Sequence, residues 1–452
     1  MNNLAYKYIS TISFSDLYNW SFQYAQKCEN LFTNKYKCVP IGSFLVRIKD
    51  PVDIEDNQNY KRVSIKLYNG GITLRDIELG VNIGTKKQFR IKQGHFLLSK
   101  IDARNGAIGI VPESCNDAII TGNFWDFEID TDKADPQFLS LLMTTDYFIK
   151  LFDKASNGTT NRHYLQEDLF LKTEIPLPSL DIQKEFVKKY NDKIKLAYEQ
   201  EQKAKDIENS IEKYWNNVLY ITQDNRIKCV TPNCKLNIIQ YKDLNIWSFD
   251  KNMNAKDNFK SAYPVVNIED VCDKITDGTH QTPKYEISGV KFLSAKDVTS
   301  KKIDINNVKY IGNKLHEELK KRVLPKRNDI LLAKNGTTGV AAIVDLDEEF
   351  SIYVSLALLR PNTKIILPKY LLHFVNSQIA KNQFDSKLIG IGVPNLHLSE
   401  IKKTKIVLPN KNIQNEIVSH IDKLNEKIMS LREQAEQNRI AAQEEFEKEL
   451  FE

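Results

Sequence analysis

A chain of 452 residues with 41% hydrophobic residues is longer than one ordinary domain and apolar enough to bury cores, which excludes a disordered protein. Its longest apolar run, 352–359, is far shorter than the roughly 18 residues of a membrane span, and the first ten residues carry no basic-then-apolar leader, so no membrane partner and a cytoplasmic location are expected. The net charge of +5 is unevenly spread: the stretches 181–219 and 413–452 together carry −5, leaving +10 on the rest, a modest footprint for a polyanionic partner.

In chain order, 93–111 reads as short apolar strands split by glycine-bearing turns, and 136–153 has the apolar spacing of a helix. A long helix follows, with Asp181 as its expected N-cap and an apolar stripe through Val187, Tyr190, Ile194, Ala197, Ala204, Ile211 and Val218. The same series then recurs as strands at 328–344, a helix at 368–384 and a second long helix. This one is expected to be capped at Asn412, with a cleaner stripe of Ile417, Ile421, Leu424, Ile428, Leu431 and Ala435. Steps of three and four residues are those of a coiled-coil seam, and about 40 residues at 1.5 Å each make a rod of about 60 Å. The two helices are expected to pair with each other, leaving Trp215 and Phe446 for contact with a partner subunit.

The recurrence is visible residue by residue. Leu17, Trp20, Ser21 and Phe22 return as Leu244, Trp247, Ser248 and Phe249, an offset of 227. Phe96 to Lys100 returns as Ile330 to Lys334, offset 234, and Ile175 to Val187 as Ile406 to Val418, offset 231. Order and spacing are kept across the half-chain, so the chain is a tandem duplication with copies of roughly 1–225 and 226–452. The expected division is a first domain over 1–178, a central helix over 179–225, a second domain over 226–409 and a terminal helix over 410–452. The expected fold class is α+β.

Catalytic signatures are missing. There is no Pro-Pro dipeptide for an amino-methyltransferase loop and no glycine-rich phosphate loop ending in Gly-Lys-Ser/Thr. Glu201 with Lys203 and Glu318 with Lys320 have nuclease-like spacing but sit in charge-rich helical stretches. The histidines form no metal-ligand motif, and Cys229 with Cys234 lacks a second pair, so no metal is expected.

The segment from Asp277 through Gly278, Thr279, His280, Gln281, Thr282 and Pro283 to Lys284 and Tyr285 resembles the opening of a target-recognition domain in the specificity subunits of type I restriction–modification systems. Lys100 to Ala107 in the first copy is similar to another hallmark of these domains. So are the exits of the two copies: Pro176-Leu-Pro178 with Ile182, Gln183 and Glu185, and Leu408-Pro409 with Ile413, Gln414 and Glu416. The first copy lacks the Asp-Gly-Thr-His segment, so the copies should read different DNA.

The resemblance implies two homologous target-recognition domains, their helices pairing as an antiparallel coiled coil with pseudo-two-fold symmetry. It implies a chain without catalysis or cofactor of its own, whose partners are double-stranded DNA, two methyltransferase subunits that use S-adenosylmethionine and, where restriction occurs, two motor-nuclease subunits that use ATP and Mg. Other readings are a modification-only or phage-defence complex, a fused nuclease or methyltransferase fragment, and a coiled-coil assembly scaffold. Lys86, Lys87, Arg90 and Lys92, with Lys320, Lys321, Arg322, Lys326 and Arg327, are candidate phosphate binders. Arg104, Asn105, Asn161, Arg162 and His163, with His280, Gln281, Lys334, Asn335 and Asn395, are candidate base readers.

Overall fold

The computed structural model describes residues 35–67, 70–145, 147–148, 156–157, 164–223, 259–299, 301–388 and 395–451. The chain divides into two compact units, Met1–Gln200 with Glu433–Glu452, and Glu201–Arg432. Cys229, Cys234, Asn161, Arg162 and His163 lie outside the described residues; the described cysteines, Cys38, Cys115 and Cys272, are free thiols.

Each unit is built on a four-stranded antiparallel sheet. In the first, Phe96–Ser99 lies between Phe124–Ile129 and Ile108–Ile110, with Leu45–Ile48 outermost. In the second, Ile330–Ala333 lies between Leu356–Pro361 and Ala341–Ile343, with Cys272–Asp277 outermost. The registers coincide: Leu98 faces Trp125 and Ile108, and Leu332 faces Ala357 and Ala341. Alternate residues of a strand point to opposite faces. Phe96 and Leu98 therefore enter one core and Leu97 another, as Ile330 and Leu332 part from Leu331 and Ala333. Burial on both faces is why these strands read as unbroken apolar runs. A short ladder of Cys38–Pro40 on Glu174–Pro176 is matched by Val265–Asn267 on Lys405–Val407.

The second layer differs between units. The first carries a five-stranded sheet including the hairpin Asn59–Ile65 with Ile72–Leu79. The second has three strands, Lys309–Ile311, Val290–Leu293 and Ser351–Ile352, and a helix, Asn313–Lys320. Duplication preserved the inner frame and let the outer layer diverge.

Two helix expectations need correction. The helix foreseen over 368–384 is broken into Pro368–Val375 and Gln378–Lys387. Asn376 interrupts it by pairing with both backbone groups of Ala341, at 3.0 and 2.9 Å, and the Ser377 hydroxyl caps the second piece. In 136–153 the helix Pro136–Met143, capped by Asp135, gives way to a turn at Thr144 and a bend at Thr145; 147–148 are helical again, and 146 and 149–153 lie outside the described residues.

The long helices run Leu180–Val218 and Lys411–Phe451. Asp181 and Asn412 lie inside the first turns rather than at the caps; Asn410 accepts from the Ile413 amide at 3.1 Å instead. Within the first unit the two helices run in opposite directions, shown by Lys189 on Glu449, Lys193 on Glu445 and Gln200 on Gln434. Within the second unit Arg432 meets Glu208, and Tyr214 stacks on His420. Of the seam residues, Val187, Ala197, Ile417, Ile421 and Ile428 are buried, and Tyr190, Ile194, Ile211, Val218, Leu424 and Leu431 are half-buried.

The expectation that Trp215 and Phe446 serve a partner subunit is overturned. Trp215 is 1% exposed and packs edge-on against Tyr370 and Phe374; Phe446 is 3% exposed, against Phe138 and Phe186. The two helices touch at their ends as well, Phe446 against Phe186 and Tyr214 against His420, and there the same apolar residues close the core of a globular head. The first unit thus takes Phe446, Leu450 and Phe451 from the terminal helix, and the second takes Trp215 from the central one and Leu219 just past its end.

Candidate nucleic-acid interface

The Asp-Gly-Thr-His segment begins at the end of the outermost strand Cys272–Asp277. Gly278 is required there, because a Cβ would lie 2.0 Å from the Ile352 carbonyl oxygen. Asp277, 2% exposed, is the centre of a charged cluster. Its Oδ2 accepts from the Lys334 ammonium at 2.8 Å, and its Oδ1 faces Arg322 at 2.6 Å and His280 Nε2 at 3.4 Å. Burial alone would raise the Asp277 carboxyl, but the Lys334 ammonium and then His280 pull it below the ordinary carboxylate range.

Among the candidate base readers, His280 and Gln281 are on this loop and Lys334 is not free to read bases. Its side chain is 8% exposed and its ammonium is spent on Asp277, which corrects that expectation. Asn335 and Asn395 are brought together as an isolated bridge, and the buried Oδ1 of each has no partner among the described residues. In the first unit Asn105 is exposed and donates to Asp102 at 3.3 Å, beside Gly106 in the left-handed conformation. Arg104 lies in the same short helix, Ala103–Asn105.

The basic clusters occupy corresponding stretches of sequence but different elements. In the first unit Lys87 and Arg90 are on a strand; in the second Lys320 ends a helix and the rest follow it. Lys86 pairs with Asp56, Lys320 with Glu349, Arg322 with Asp277 and Arg327 with Asp347. Lys87, Arg90, Lys92, Lys321 and Lys326 are exposed and make no ion pair among the described residues. Of the candidate phosphate binders, these five are the ones whose charge is not already paired among the described residues.

Several functional-looking groups were not foreseen. His316, Glu317 and Glu349 present ligand atoms within 4.8 Å of one another, although no spacing motif announced them. The Lys320 ammonium, 2.7 Å from Glu349, neutralises that group as an ion pair. In the first unit His95 Nδ1 lies 2.8 Å from Asp126, whose burial raises its carboxyl despite His95 and Arg47. Lys309 sits 3.9 Å over the Tyr285 ring, and Ile287 at the same loop is fully exposed. None of these had a local sequence signal, since the partners are far apart in the chain.

Among the described residues, no helix is long and apolar enough to cross a membrane. The sequence profile described as "Type I restriction modification DNA specificity domain" matches residues 45–209 and again 260–441. The chain is 21% identical over 362 residues to the type I restriction enzyme EcoBI specificity subunit of Escherichia coli, spanning 78% of this chain and 72% of that one. It is 33% identical over 115 residues to the putative type I restriction enzyme specificity subunit S.HindORF215P of Haemophilus influenzae, 25% of this chain and 29% of that one. A chain from a structure on complex assembly and conformational transition of the type I R-M system superposes with TM-score 0.58 at 17% identity, covering 92% of this chain and 98% of its own. Two matched segments in tandem, covering most of the chain, on two heads with one β-frame, place this protein in the family of type I restriction–modification specificity subunits.

Proposed function

We propose that this protein reads a bipartite, asymmetric double-stranded DNA target and brings partner methyltransferase and motor-nuclease subunits to it, without catalysis of its own. The observation that carries this reading is the contrast between heads: one inner sheet whose central strands share a register, two different outer layers. A shared frame presents the DNA-facing loops alike, and divergent loops and outer layers make the two half-sites different. Lys87, Arg90, Lys92, Lys321 and Lys326 hold phosphates and contribute salt-dependent affinity. Asn105, His280 and Gln281 are exposed, which supports them as the described residues that meet base edges in this reading. The paired helices serve as a spacer that a flexible linker would not provide.

Two methyltransferase subunits supply S-adenosylmethionine chemistry, and ATP and Mg are used by the motor-nuclease subunits. Mapping methylated adenines after co-expression with a cognate methyltransferase subunit tests the reading. The expected result is one split motif with two unlike blocks and a constant gap; a continuous palindrome would refute it. Methyl transfer or DNA cleavage by the purified chain alone would refute the non-catalytic assignment.

A further inference from the structure

The ion cluster at the end of strand Cys272–Asp277 has a buried base and an open top. Asp277 and Lys334 have side chains 3% and 8% exposed, and each neutralises the other through the Oδ2 contact at 2.8 Å. Oδ1 is left pointing at two side chains that remain half or more exposed, Arg322 at 51% and His280 at 62%. One guanidinium nitrogen is held at 2.6 Å, and Arg322 has further N–H donors for an outside acceptor. His280 is steered by the same oxygen, at 3.4 Å. Glycine at 278 locks the loop against Ile352.

We infer that Asp277 is a positioning residue for sequence discrimination by the second head, fixing Arg322 and His280 in one orientation toward a base edge. The inference rests on the DNA-reading function proposed above. Arginine reads guanine through two parallel hydrogen bonds, a geometry that tolerates little swing. A buried carboxylate gripping one nitrogen removes that swing before DNA arrives. The Asp277–Lys334 pair is what makes the grip possible, since a lone buried carboxylate would be expelled or protonated. Among the described residues, the first head has no carboxylate at the register position of Asp277. The coincident registers put Lys49, the residue after strand Leu45–Ile48, at the position of Asp277. Arg322 was a candidate for phosphate contact; this geometry assigns it to the bases.

The test is selection from a random duplex library by the purified full-length chain, comparing the unmodified protein with Asp277→Asn, Arg322→Ala and the double variant. The unmodified chain should enrich two blocks; enrichment of none would refute DNA reading itself, separately from the role of Asp277. Asp277→Asn should flatten preference in one block by on the order of tenfold and leave the other block unchanged. Added to Arg322→Ala, it should change preference by clearly less than the roughly tenfold it costs alone, because it acts mainly through that arginine and only the remainder passes through His280. Unchanged preference in Asp277→Asn, equal loss in both blocks, or additive effects would overturn the inference. If Asp277→Asn fails to melt cooperatively, Asp277→Asn with Lys334→Gln supplies a neutral hydrogen-bonded pair. That variant should show the same loss in one block; preference like that of the unmodified chain would overturn the inference.

Discussion

At the scale of single residues, Gln183 and Gln414 show how a short motif can be structural. Both are fully buried. Gln183 donates to the Pro178 and Lys133 carbonyls at 2.8 and 2.9 Å and accepts from the Asp135 amide at 2.7 Å. Gln414 repeats this with Pro409, Ile365 and Leu367 at 2.9, 3.3 and 2.8 Å. Each glutamine staples the start of a long helix to its head, and removing it strands backbone groups without water. Gln183→Ala or Gln414→Ala should each cost roughly 2–4 kcal/mol, read from the denaturant midpoint, whereas Glu185→Ala on the exposed face should cost under about 1. His373 offers a pH test. Burial holds it below its ordinary 6.5, against the hydrogen bond that its Nε2 makes to the Asp422 carboxylate at 2.7 Å, so folding favours the neutral ring. A folded pKa below the unfolded one means that this contribution is complete above about pH 6.5 and is lost as pH falls below it. Melting temperature should drop between pH 7 and 5.5 and drop less in His373→Gln; an unchanged slope would discount His373.

At the scale of elements, the informative feature is the exchange of helix ends. A helix with one apolar stripe gains most when the whole stripe is covered, and a partner helix covers it only where the two run side by side. At the helix ends the heads cover what the partner helix leaves: Trp215 enters the core of the second unit, and Phe446, beside Phe186, that of the first. Trp215→Ala should cost about 3–5 kcal/mol by the loss of a fully buried ring and its cavity. Amide exchange should quicken around Pro368–Val375 and stay unchanged around Pro136–Met143; Phe446→Ala should give the reverse. Exchange that quickened equally in both heads would deny the assignment of these rings to separate cores.

At the scale of the whole molecule, the paired helices are proposed to set the spacing between half-sites. Deleting seven residues from each helix shortens it by about 10 Å, about three base pairs of duplex. A methylation map of that variant should show a gap reduced by about three and both blocks intact. Altered blocks at an unchanged gap would mean that the helices carry specificity rather than spacing.

Sequence alone determined what depends on local order and repetition: the duplication, the inner strands, the two long helices and the class of protein. These were legible because period and turn residues are local, and because two copies of one pattern confirm each other. Tertiary structure decided what depends on partners distant in the chain. It put Lys334 under Asp277, moved Trp215 and Phe446 from a surface into cores, and broke the helix at Asn376 against Ala341. A lysine in a loop has the same sequence whether it meets water, phosphate or a carboxylate; only the fold brings Asp277 within 2.8 Å of it.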